Sequence, residues 1–84
     1  MDERKADQTL DARSMAYPMP ILKARQALGA LAAGQVLNVV ATDRGSVKDF
    51  KGWAATSKRI ALVGQATEQE NGKEMYVHSL EKKS

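Results

Sequence analysis

Few residues in this chain of 84 could take part in chemistry, and their pattern is restrictive. There is no cysteine and a single histidine, His78. Without thiols there are no disulfides, thiolate metal sites or cysteine nucleophiles. One imidazole does not make a histidine-based metal centre. Asp43 follows a β-branched run and reads as a turn or capping residue, since no partner ligands cluster beside it in the sequence. What stands out is Ala16-Tyr17-Pro18-Met19-Pro20-Ile21-Leu22-Lys23, where a tyrosine precedes two prolines spaced one residue apart. A phenol becomes a nucleophile only beside a base or metal, and Tyr17 has neither as a sequence neighbour. Two roles stay open for it: a plug packed over Pro18 or Pro20, or an aromatic anchor on a binding surface, where tyrosine is enriched. Arg13 and Lys23 flank the stretch, either as a basic rim or as an ordinary solvated face.

The elements that must carry these residues follow from periodicity. Thr9–Ala12 reads as a short strand, and 13–17 as a loop. From Pro18 the apolar residues Ile21, Ala24, Leu28, Leu31 and Ala32 recur at three- and four-residue intervals, which predicts a helix, with Gly34 as its left-handed cap. Prolines fit its start, because the first N–H groups of a helix have no internal partner and proline's φ suits the first turn. Val36–Ala41 is a β-branched, buried strand, closed by 42–45. Ser46 with Asp49 resembles a helix-capping pair, ahead of a second helix with Val47, Phe50, Trp53 and Ala54 inward. Ile60–Ala66 and Glu74–Leu80 read as strands around Asn71-Gly72, a type I′ hairpin signal. His78 shares a strand face with Tyr76 and Leu80 and reads as a packed sheet residue.

The order βαβαββ predicts an α/β (α+β) two-layer sandwich, with a four-stranded mixed sheet and two helices on one face. The first two strands should be parallel and the last two antiparallel. One domain is expected over 9–80, with a flexible N-terminus over 1–8 and a polar tail over 81–84. A chain this short hides only about 60% of its unfolded surface, and with four aromatic residues its core must rest on Leu, Val, Ile and Ala. The opening MDERKADQ has no apolar core of a secretory signal, and no apolar run nears the ~20 residues of a membrane span; a cytoplasmic, membrane-free protein is expected. The net charge of +3, densest at Lys58-Arg59 and Lys82-Lys83, permits weak attraction to nucleic acid.

Leu10-Asp11-Ala12-Arg13, Tyr17-Pro18-Met19-Pro20 and the following Leu22–Leu28 resemble the opening of the TusA/SirA-like sulfur-carrier family, whose pattern runs roughly L-D-x-x-G-L-x-C-P-x-P. Gly34, Thr42-Asp43, Asp49, Trp53 and Asn71-Gly72 continue the likeness over residues 9–80. Three departures matter. Tyr17 stands where the family's persulfide-carrying cysteine would be, Ser14 where its glycine would be, and Ser57-Lys58 where a Gly-His pair is common. The resemblance, taken with the missing cysteine, implies a non-catalytic binding or adaptor domain in or near sulfur-relay chemistry. Enzyme activity is left open, the family being one of sulfurtransferases and the cysteine absent, and no cofactor or metal is expected. Its surface would comprise Tyr17, Pro18, Pro20, Arg13 and Lys23, and its partner would be a protein such as a cysteine desulfurase or another relay component. Two other readings remain: an RNA-binding module, because the βαβαββ plan is similar to the C-terminal domain of a bacterial translation initiation factor, and an inactive variant of a genuine sulfurtransferase.

Overall fold

A computed structural model describes residues 6–83. Its elements are β1 (Gln8–Ala12), α1 (Met19–Gly29), β2 (Val36–Ala41), α2 (Ser46–Thr56), β3 (Ile60–Glu70) and β4 (Lys73–Lys82). The sheet order is β1-β2-β4-β3, with β1 parallel to β2 and both remaining pairs antiparallel. This is the expected mixed sheet of a two-layer α+β sandwich, and its register explains the core. Leu37, Val39 and Ala41 of β2 lie opposite Leu80, His78 and Tyr76 of β4, and all six are buried. Ala24 and Leu28 of α1 and Phe50 of α2 close over that face together with Ala12 and Ile60. The opposite face takes the alternate residues; there Ser79 donates to the side-chain oxygen of Asn38 at 2.6 Å.

The hairpin forms as the sequence predicts. Asn71 and Gly72 both adopt positive φ, 53° and 79°, the pair a type I′ loop requires. Its strands run longer than expected, however. Pairing continues from Thr67 with Tyr76 out to Glu70 with Lys73, so a tight turn extends the ladder through polar residues that carry no apolar alternation. A bulge separates Leu62 from Gly64.

Several boundaries differ from expectation. The first helix ends at Gly29, not Gly34; the Ala30 N–H donates to the Ala27 carbonyl and the Leu31 N–H to that of Leu28, each at 3.1 Å. The Ala-rich continuation has helix propensity, but tertiary bonds override it. Gly34 donates to the Lys82 carbonyl (2.7 Å), Lys82 donates to that of Gln35 (2.9 Å), and the Lys82 ammonium donates to that of Leu31 (2.6 Å). Glu81 and Lys82 therefore belong to β4 and not to a free tail; Ser84 lies outside the described residues. At the other end, Gln8 opens β1. Asp7 exchanges two bonds with Val36, its N–H reaching the Val36 carbonyl and its carboxylate accepting the Val36 N–H, each at 2.8 Å. The rest of the expected flexible segment, 1–5, lies outside the described residues. Ser46 does not cap α2 through its side chain: Gly45 holds the cap position, and the Ser46 hydroxyl is taken into the core.

Candidate functional site

The loop that precedes α1 is built from backbone bonds and held by the turn after β2. Met19 donates to the Ala16 carbonyl at 2.9 Å, and Leu22 makes the first helical bond to the Pro18 carbonyl at 3.1 Å. Pro18 is the N-cap and Pro20 occupies the second helical position. Both lack an N–H in the turn where helical donors are unpaired. With no side-chain cap present, the loop is fixed from outside. The Ser14 N–H donates to Thr42 Oγ1 at 2.8 Å and the Tyr17 N–H to Asp43 Oδ2 at 3.3 Å. The other Asp43 oxygen accepts the Gly45 N–H at 3.1 Å. Thr42-Asp43 thus ties the β2–α2 turn to the β1–α1 loop. Asp43 is the turn-closing residue the sequence suggested, and it also acts as a clamp the sequence did not signal.

Tyr17 projects from this fixed loop with 66% of its surface exposed, so most of the ring faces solvent. Met19 and Leu22 are also large, apolar and exposed. They were missed because they fall outside the Ile21-Ala24-Leu28 stripe, and an apolar residue off the buried stripe is the signal that would have found them. Pro18 is exposed beside them. Pro20 corrects the expectation of a surface role: it is buried on the inner side of α1.

The expected basic rim is only half present. The Arg13 guanidinium is committed to Asp11 through two bonds of 2.9 Å and lies 3.8 Å from Glu70. Those bonds, with the Arg13 N–H, hold the Asp11 carboxyl down to about 2. Arg13 therefore joins the loop to the hairpin tip and is not a free cation. Lys23 is exposed on α1 and has no ion-pair partner among the described residues.

His78 is wholly buried and stacks on Phe50, with ring centroids 4.5 Å apart. Its Nε2 lies 2.8 Å from Ser46 Oγ and its Nδ1 lies 3.0 Å from Gln65 Nε2. Burial lowers its pKa to about 4, so it is a neutral core residue at ordinary pH and has no access to a ligand. Among the described residues no three His, Cys, Asp or Glu side chains gather into a metal-binding group. No helix there is long and apolar enough to cross a membrane.

This βαβαββ sandwich, with its Pro-x-Pro helix start held against the end of β2, has matches among known proteins in both sequence and fold. The family model described as Sulfurtransferase TusA matches residues 8–78. The chain is 46% identical over 78 residues to the sulfur carrier protein TusA of Allochromatium vinosum, covering 93% of this chain and 95% of that one. It is 40% identical over 75 residues to a candidate sulfur carrier protein of Halobacterium salinarum, covering 89% and 88%. Among solved structures, a SirA-like protein from Desulfitobacterium hafniense superposes with a TM-score of 0.62 at 25% identity, over 92% of this chain and 99% of that one. This protein belongs to the TusA family.

Proposed function

We propose that this chain is a docking member of the family, one that occupies a partner's carrier site without carrying sulfur. The observation behind this reading is the exposed Tyr17, fixed at the helix start in the position where the family pattern has cysteine. A carrier accepts sulfur when its thiolate takes the sulfane sulfur of a donor persulfide, leaving the donor as a thiol. A phenol oxygen forms no persulfide, and the methionines are thioethers with no sulfur–hydrogen bond to exchange. Recognition is a different matter. Tyr17 and Pro18 at the end of the loop, with Met19 and Leu22 in the first turn of α1, are exposed apolar side chains around the helix start, the kind of surface on which aromatic anchors carry binding energy, with Lys23 beside them. The RNA-binding alternative has less support: by register the sheet face away from the helices carries Thr9, Asp11, Asn38, Val40 and Val77, with Ser79 buried among them, and no aromatic side chain to stack on bases.

The test uses a cysteine desulfurase, cysteine, and a cysteine-bearing relative, with sulfur loading followed by intact mass. Excess native chain should slow loading of the relative, and the Tyr17→Ala variant should slow it less. Tyr17→Cys should itself gain sulfur. If the relative loads while Tyr17→Cys does not and the native chain has no effect, the docking surface is not conserved in function and the reading fails.

A further inference from the structure

We propose that a cavity at the other end of the molecule binds a small organic phosphate bearing a flat ring, of about mononucleotide size. The cavity opens where both helices finish: Gly29 ends α1, Ser57 caps α2, Ile60 begins β3 and Lys82 ends β4. Tyr17 lies before the start of α1, a helix of about 16 Å at 1.5 Å per residue, so the two surfaces are separate. The cavity measures about 590 Å³, within the range of ligand pockets.

The lining has a definite chemistry. Arg25, Arg59 and Lys82 supply cations, Leu28, Trp53 and Ile60 supply apolar wall, and no carboxylate takes part. None of these three cations forms an ion pair among the described residues. Basic residues near helix C-termini often serve the helix dipole, and Lys82 does so beyond α1 through the Leu31 carbonyl. The Arg25 and Arg59 guanidiniums make no such bond among the described residues, and neither helix has a basic residue in its last turn. The Lys82 ammonium is anchored on the Leu31 carbonyl at 2.6 Å, which fixes its position and leaves two of its three N–H donors. Two guanidinium forks suit the tetrahedral face of a phosphate. The Trp53 ring is propped by Phe50 with centroids 5.9 Å apart, a rigid apolar wall for a flat group. Gly29 leaves the rim open, since a Cβ there would meet nothing within 4 Å.

Trp53 is the only tryptophan, so its indole N–H gives one NMR signal from a residue of the cavity wall. The probes are adenosine monophosphate, adenosine and inorganic phosphate, each titrated into the full chain. The monophosphate should shift the Trp53 signal saturably, with adenosine and phosphate each at least about tenfold weaker, the factor equivalent to about 1.4 kcal/mol. Replacing both Arg25 and Arg59 by Gln should weaken it by at least about tenfold, because charged hydrogen bonds are lost. Gly29→Leu keeps every charge but puts a branched side chain at the cavity rim, and should weaken binding by at least about tenfold. Tyr17→Ala should leave it unchanged, so failure here and failure of the docking reading are distinguishable. No saturation, equal binding of inorganic phosphate, or insensitivity to Gly29→Leu would each overturn the proposal. So would a short oligonucleotide that binds where the mononucleotide does not, since that describes a nucleic-acid surface.

Discussion

The side-chain amide of Gln65 determines which nitrogen of His78 carries the proton. Gln65 Nε2 lies 3.2 Å from the Val47 carbonyl, an acceptor, so the nitrogen end of the amide must face that way. The same nitrogen is 3.0 Å from His78 Nδ1, which must therefore accept. The proton is left on Nε2, donated to the Ser46 hydroxyl at 2.8 Å. One backbone carbonyl on α2 thus fixes an amide on β3 and, through it, the tautomer of a histidine on β4.

That arrangement makes stability sensitive to acid. The His78 pKa is about 4 when folded, against 6.5 for the free side chain. Between those values the unfolded chain binds a proton that the folded chain refuses, so stability is complete above about pH 6.5 and falls as pH drops toward 4. Each tenfold difference in proton affinity is about 1.4 kcal/mol, which puts the full loss on the order of 3 kcal/mol. Asp11 titrates in a lower window, from 3.8 down to about 2, and does not obscure it. Urea unfolding across this range, with the His78 ring signals followed by NMR, checks the slope; His78→Gln should remove most of it.

The element order, the parallel β1–β2 pair and the antiparallel β3–β4 pair were legible because each element carries a local signal: the β-branched run 36–41, the Asn71-Gly72 turn and the Pro-x-Pro helix start. The pairing of β2 with β4 that joins the two halves carries no such signal. What could not be read is where side chains choose a distant partner over a local one. Ser46 has the sequence of a cap, yet its hydroxyl meets His78, 32 residues away. Leu31 and Ala32 continue a helical stripe, yet the end of β4 takes the backbone that follows Gly29. At the site, Tyr17 and its prolines were visible as a motif. The Thr42-Asp43 clamp was not, because it spans 26 and 28 residues through backbone amides that every sequence possesses.

Ser14 adopts a φ of 68°, the left-handed region, at the position where the family pattern has glycine. A Cβ there costs about 1–2 kcal/mol, which glycine avoids. The bond from the Ser14 N–H to Thr42 belongs to the backbone, so Ser14→Gly keeps it. The variant should be more stable by up to about 1 kcal/mol, less than the full strain because glycine also has more entropy to lose on folding. A shift of the urea midpoint at unchanged slope measures it.

Asp43→Ala should loosen the loop before α1. It removes acceptors for the Tyr17 and Gly45 N–H groups, at about 0.5–1.5 kcal/mol per net bond in a partly exposed setting. Amide exchange at Tyr17 and Gly45 should accelerate, while exchange at Leu37 and Val39 in the core follows only the global loss. Thr42→Val should free the Ser14 amide and leave that of Tyr17 protected.

Tyr17→Ala separates docking from folding. The ring is mostly exposed, and it was the backbone N–H, which alanine retains, that met Asp43. Substitutions at such surface positions stay within about 0.5 kcal/mol, so thermal and urea unfolding should barely change. If Tyr17 anchors a partner, truncation removes a large aromatic contact, and hot-spot losses run at about 2 kcal/mol or more, a fall in affinity of more than tenfold. Leu22→Ala, one turn along the same exposed face, should weaken docking in the same direction, whereas Lys51→Ala, exposed on α2, should not. Competition in the sulfur-loading assay reads all three. An unfolding midpoint that drops sharply for Tyr17→Ala would instead make the ring a structural element of the helix start, and the loss of docking would then follow from a disordered loop.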